Sequence, residues 1–208
     1  MSHARDTIFL RRIRQRRRAR CTRRPPPWAA TVILAWTLVA VPCLWAQSPK
    51  PTDYDVKAVY LYNFGRFVEW PTSVTIKNDS FTVCVLGQDP FGPALDSTLA
   101  GETIGGKSVT AKRISTPQEA ISCQILFMSS GEDSQVNKII ETLDKGAVLT
   151  VSDMPQFSQR GGMIQFVLEG KKVRFEVNLT AVQRAGLTLS SELLKVATTV
   201  RRNPKPGD

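Results

Sequence analysis

The sequence predicts an α/β fold: a mixed, mostly parallel sheet flanked by helices, closed by a C-terminal antiparallel hairpin, in a single domain. Three observations predict it. Between residues 56 and 151, short apolar runs of strand length alternate with segments of helical periodicity, as in strand–helix–strand crossovers. Two alternating runs, 163–168 and 172–177, flank the turn signal Glu169-Gly170. The chain beyond residue 46 holds about 160 residues, enough for one domain with a real core.

The elements follow in order. Residues 52–55 offer capping side chains for a first helix, and Trp70-Pro71 closes it. Val56, Tyr60, Phe64 and Phe67 make its apolar stripe, widened by Val59, Leu61 and Val68, so this face is expected in the core. Tyr62, Arg66 and Glu69 fall on another side. Residues 81–86 form a short apolar strand ending at Gly87, and 91–99 read as helix. Residues 109–114 alternate as a strand, and 124–128, apolar after Gln124, read as a strand covered on both faces. Residues 132–143 form a helix with Val136, Ile139, Ile140 and Leu143 on one face; Gly146 ends it, and 147–151 is a further buried strand. In the hairpin, Ile164, Phe166 and Leu168 share a face with Val173, Phe175 and Val177, which leaves Gln165, Arg174 and Glu176 opposite. A last helix starts at Ser190 and runs through Leu193, Val196, Ala197 and Val200. Arg201 and Arg202 sit in its final turn, where positive charge suits the helix dipole. Asn203-Pro204 stops it, and residues 203–208 form a loose tail.

The N-terminal segment has another character. Ten arginines against one aspartate precede an apolar run of 19 residues, 28–46, broken only by Thr31, Thr37 and Pro42. A basic region, an apolar region and a small residue before Gln47-Ser48 read as an export signal. With Leu44 at the −3 position, an uncleaved N-terminal anchor is the alternative, since 19 residues just span a bilayer. Either way the arginines stay inside and the body is exported, to the periplasm. The organisation expected is a signal or anchor at 1–46, a short linker at 47–53, a domain at 54–202 and the tail.

The charge follows the same division. The whole chain carries +10, but residues 1–46 account for +9 of it and the body for +1. The basicity belongs to the export leader, and nucleic acid is dropped as a partner. The one histidine, His3, lies in the leader, so the body has no imidazole. A Ser-His-Asp or Cys-His site is thereby excluded, and a zinc site would have to use carboxylates and cysteines alone. No cofactor, metal or catalytic residue is assigned. Paired carboxylates remain the one catalytic option, with Glu69, Asp153 and Glu176 as candidates picked out by no motif.

Residues 101–108, GETIGGKS, match the phosphate-loop pattern G-x-x-x-x-G-K-[ST] letter for letter. That loop needs a strand entering and a helix leaving, so that helix amides and lysine face the phosphates. Here the order is reversed, helix before and strand after, and the segment reads as a glycine-rich turn. Two cysteines, Cys84 and Cys123, remain in the body. An even pair in an exported protein reads as a disulfide worth about 3–4 kcal/mol, two separate buried thiols being the alternative. Arg174 and Glu176, two apart on one strand face, could pair with Arg66. Uncovered, the guanidinium groups would hold a small anionic ligand; covered, they form a structural ion-pair cluster.

At residues 56–71 (VKAVYLYNFGRFVEWP), 84–92, 123–127, 148–153, 161–164, 173–178 and 185–194 the sequence resembles, block after block, the YfiR-like (YfiR/HmsC-like) family of periplasmic regulatory proteins. The resemblance implies a regulator rather than an enzyme. It implies an inhibitor that binds the periplasmic sensor part of an inner-membrane diguanylate cyclase and so restrains cyclic-di-GMP production and biofilm growth. Further implications are a homodimer, sequestration by an outer-membrane lipoprotein, and redox influence through cysteines that match Cys84 and Cys123. Relatives commonly carry histidine after the second cysteine, where this chain has Gln124. The site residues expected for a ligand or partner are Arg66, Glu69, Arg174 and Glu176. The alternatives are a ligand-binding sensor subunit for a membrane sensor kinase and, behind it, a carboxylate-based envelope hydrolase.

Overall fold

The computed structural model describes residues 50–72, 79–143 and 146–202. The expected export leader and the tail from 203 lie outside these residues. Among the described residues no helix is long and apolar enough to cross a membrane.

Helix α1 (Asp53–Phe67) starts at a reciprocal cap. The Thr52 backbone N–H donates to Asp55 Oδ2 at 2.6 Å, and the Asp55 N–H donates to Thr52 Oγ1 at 3.2 Å. After β1 (Val68–Glu69) the chain builds β2 (Phe81–Leu86), α2 (Pro93–Leu99), β3 (Thr103–Ile104) and β4 (Lys107–Ile114). A 3₁₀ turn at Pro117–Ser122 leads to β5 (Ile125–Met128), and a second at Ser130–Gln135 runs into α3 (Val136–Leu143). Then come β6 (Leu149–Ser152), β7 (Ile164–Glu169), β8 (Lys172–Asn178), α4 (Leu179–Arg184), β9 (Thr188–Leu189), α5 (Ser191–Val196) and β10 (Thr199–Arg201).

Eight strands make one sheet in the order β10-β8-β7-β6-β5-β2-β4-β3. The five from β4 to β7 run parallel, as the alternation of strand and helix predicts. Strand β8 returns antiparallel in the expected register, Ile164 opposite Val177 and Phe166 opposite Phe175. Each sheet face has its own apolar layer. Val83, Val85, Phe127, Val151, Phe166 and Phe175 look toward α1, α2 and α5. Cys84, Leu86, Leu126 and Met128 look toward α3 and Phe157. Pro49–Asp208 thus form one compact unit with both layers inside it.

The GETIGGKS segment is a hairpin. Thr103 and Ile104 pair with Ser108 and Lys107, and Gly105 and Gly106 turn the chain at φ 59° and 78°. Two consecutive positive φ values define a type I′ turn, which glycine takes without strain. No helix leaves the loop, so its amides cannot converge on a phosphate.

Three expectations need correction. Helix α1 ends at Phe67, not Trp70, because Val68 turns extended and pairs with Leu189. The buried face of α1 is also rotated: it holds Lys57, Ala58, Leu61, Phe64 and Gly65, while Val59 and Phe67 stay exposed. Gly65 allows the close approach on this face, since a Cβ there would press on Ile104 Cδ1 and come within 3.1 Å of the Phe81 ring. Finally, the last helix stops at Val196. The β-branched run Thr198–Val200 instead meets the open edge of β8, where the Thr198 N–H donates to Phe175 O at 2.9 Å. Arg201 is therefore a strand residue and not a helix cap. Helix α4 and the 3₁₀ turn at Pro117–Ser122 are additions that the periodicity did not suggest, both being too short to show one.

Candidate functional site

In the parallel part of the sheet the strand order reverses between β2 and β5. Open α/β sheets bind ligands in the crevice outside the carboxyl ends at such a point. Here Phe91, just after β2, packs edge-on against Phe127 of β5 at 4.7 Å. Tyr54 stacks edge-on to Phe91 at 5.5 Å, and its hydroxyl donates to Asp153 Oδ2, just after β6, at 2.9 Å. Lys57 Nζ reaches the same oxygen at 2.6 Å and lies 4.1 Å above the Tyr54 ring centroid. Its side chain is only 7 % exposed. Burial, then the bond to Asp153, pushes the Tyr54 phenol up to about 12. The crevice is therefore filled from within by α1, and its charges are matched in place.

Beside it, Arg113 of β4 ties the rim together. Its guanidinium donates to Asp89 at 2.9 Å and to both Asp96 oxygens at 2.7 and 2.6 Å. These bonds hold the Asp96 carboxyl below the usual range.

Cys84 and Cys123 form a disulfide with Cα atoms 6.0 Å apart, closing 39 residues. Cys84 sits in β2 and Cys123 precedes its parallel neighbour β5, so the bridge pins the two central strands. Both half-cystines are buried under α3 and the 3₁₀ turn, which removes them from direct thiol exchange in the folded state.

The four residues expected to make a ligand or partner site divide between the two sides of the sheet. Phe175 faces α1, so Arg174 and Glu176 point from the opposite face of β8, away from Arg66 on α1. The expected Arg66–Arg174–Glu176 cluster does not form. Arg66 instead lies 5.9 Å from the Tyr62 ring, and the Tyr62 hydroxyl donates to Glu102 at 2.5 Å. Glu176 accepts from Ser158 Oγ at 3.1 Å and from Arg201 at 3.4 Å. Arg174 stands exposed beside the hairpin turn, and Glu69 is exposed on β1. Among the described residues no hydrogen bond or ion pair joins any two of Glu69, Asp153 and Glu176, and none of these residues forms part of a cluster suited to a metal ion.

Sequence reasoning missed an open apolar surface on α1 itself. Tyr60, Asn63, Phe67, Glu192, Leu193 and Val196 line a groove of about 290 Å³ between α1 and α5, with Phe64 and Phe175 at its floor. Around it Val59, Phe67 and Val196 are 48 %, 37 % and 57 % exposed. The signal lay in the sequence as Lys57, Leu61, Phe64 and Val68, a second stripe at helical spacing that competes with the one chosen.

The fold and site define an open doubly wound α/β protein whose ligand crevice is closed by its own first helix, and whose free apolar surface lies on that helix's other side. The chain belongs to the YfiR/HmsC-like family, whose model matches residues 54–198. This is a family of periplasmic, regulatory proteins that act in cyclic-di-GMP signalling with a membrane-associated partner. Among solved structures it is similar to a conserved domain protein from Vibrio cholerae O1 biovar El Tor, with 11 % identity and a TM-score of 0.49. That match covers 72 % of this chain and 60 % of the other. It is similar also to the ABC domain in complex with L-Trp from Streptococcus pneumonia, with 12 % identity and a TM-score of 0.43. There 62 % of this chain and 59 % of the other are covered, so the chain spans about three fifths of the length of both structures.

Proposed function

We propose that this protein inhibits an inner-membrane diguanylate cyclase by direct contact, using the groove between α1 and α5 to hold apolar side chains of the cyclase's periplasmic sensor part. The observation that carries this reading is the cluster of Val59, Phe67 and Val196, large apolar side chains left in water on adjacent elements. Such a patch on a soluble domain marks an interaction surface. Glu192 and Asn63 at its border supply the polar rim that interfaces of this kind have. Tyr54, Lys57 and Asp153, the titratable groups at the sheet's carboxyl end, are bonded to one another, which supports a regulator over an enzyme. In this reading the buried disulfide holds the central strands in the competent shape. Reduction acts only by loosening the domain.

The test is a binding titration between residues 49–208 and the sensor part of a cyclase encoded beside this gene, paired with cyclic-di-GMP levels in cells. Deleting the gene should raise cyclic-di-GMP, and Phe67→Asp should do the same while the protein remains folded and abundant. Normal repression by a folded Phe67→Asp protein would refute the groove as the contact.

A further inference from the structure

Four cations gather at one end of the domain, apart from the groove assigned to the partner. Lys50 precedes α1; Lys171, Lys172 and Arg174 occupy the β7–β8 turn and the start of β8. An open concavity of about 650 Å³ touches all four, with Asp53 as the one acid in its lining. Lys172 and Arg174 project from the face of β8 turned away from α1, so the cations flank the tip on both sides, and Glu169 lies opposite Lys172 in register. Among the described residues none of the four has an ion pair. Arg113, Arg160 and Arg201, by contrast, are all matched to carboxylates. Between the cations the surface is apolar: Leu168 stands 57 % exposed near the hairpin tip, above Val56 and Tyr60.

Where the apolar run 28–46 is kept as the N-terminal anchor, the covalent chain limits how far this end can lie from the membrane. Lys50 comes four residues after Ala46, the last residue of the apolar run 28–46. Four residues reach at most about 14 Å. A bilayer that holds that run then lies within this distance of Lys50. Unpaired cations around one protruding leucine match a surface of anionic headgroups over acyl chains.

We propose that the β7–β8 tip with Lys50 is a docking surface for the anionic phospholipid bilayer: the cations contact lipid phosphates and Leu168 enters the headgroup boundary. The body carries only +1 overall, so the attraction is local to this end and orients the domain.

Residues 49–208, which contain both core layers and the disulfide, serve for the test and leave the leader out. They should co-sediment with vesicles containing phosphatidylglycerol, less so as salt rises, and not with pure phosphatidylcholine vesicles. Each cation near an anionic surface contributes roughly a fivefold factor in partitioning, so the triple variant Lys171→Gln, Lys172→Gln, Arg174→Gln should lose about a hundredfold. A control triple, Lys138→Gln, Arg184→Gln, Lys195→Gln, makes the same change in net charge at exposed sites elsewhere and should keep most of the binding. Equal losses in the two triples, or equal binding to both vesicle types, would overturn the proposal. So would glycerophosphate that binds the tip while vesicles do not, since the site would then serve a small free anion. The tip triple should bind the partner's sensor part in solution as the unaltered protein does, so a failure here is distinguishable from a failure of the inhibitor reading.

Discussion

The two sides of helix α1 are built by opposite rules. Its inner side buries even a lysine: Lys57 and Tyr54 converge on Asp153, and Leu61, Phe64 and Gly65 press onto the sheet. Its outer side leaves Val59 and Phe67 in water beside Val196. A domain of this size has ample core in which to hide two more apolar side chains, yet the polar one went inside. The difference teaches that the crevice, the usual working end of this fold class, has become structural here. In the proposed function the working surface lies at the back of the helix that fills it.

Variants can break this contrast by showing stability on the outside or binding on the inside. The largest effect should come from the bridge beneath the sheet: replacing Cys84 and Cys123 by serine should cost about 3–4 kcal/mol in urea denaturation, with reductant giving a similar loss in the unaltered protein. Lys57→Ala should cost about 3 kcal/mol, since it leaves Asp153 as an uncompensated, half-buried charge. Lys57→Met combined with Asp153→Leu should recover much of that loss, and a double-mutant cycle measures how much. On the outer side, Phe67→Asp should change stability by no more than about 0.5 kcal/mol, while weakening partner binding at least about tenfold. A large stability loss from Phe67→Asp, with Lys57→Ala neutral, would invert the comparison.

The smallest effect sharpens it. The Tyr54 phenol sits above its ordinary value in the folded protein, at about 12. Its contribution to stability is therefore complete below pH 10 and lost as pH rises toward 12. The stability difference between the unaltered protein and Tyr54→Phe should be constant from neutral pH to about 10 and then shrink. A difference that stays level across the alkaline range would mean that Tyr54 does not hold its proton for Asp153.

Much of the fold was legible because it rests on local pattern. The strands at 81–86 and 164–168 declared themselves as apolar or alternating runs, and the reversed order of helix and strand around residues 101–108 identified a glycine-rich turn in place of a phosphate loop. The candidate site was less legible. Arg174 and Glu176 were rightly placed on one strand face, but Arg66 was grouped with them although the sheet stands between. Spacing along a strand says which residues share a face. It does not say which helix covers that face.

By itself the sequence determined most of the strands and helices, the cap at Thr52 and the hairpin register, because these depend on neighbours within a few residues. Only the tertiary structure decided which side of α1 is inside, since α1 carries two overlapping apolar stripes of nearly equal strength. Gly65 lets the buried one approach Ile104 and Phe81 closely. The same docking carried Lys57 to Asp153, nearly a hundred residues away in sequence, and left Phe67 exposed.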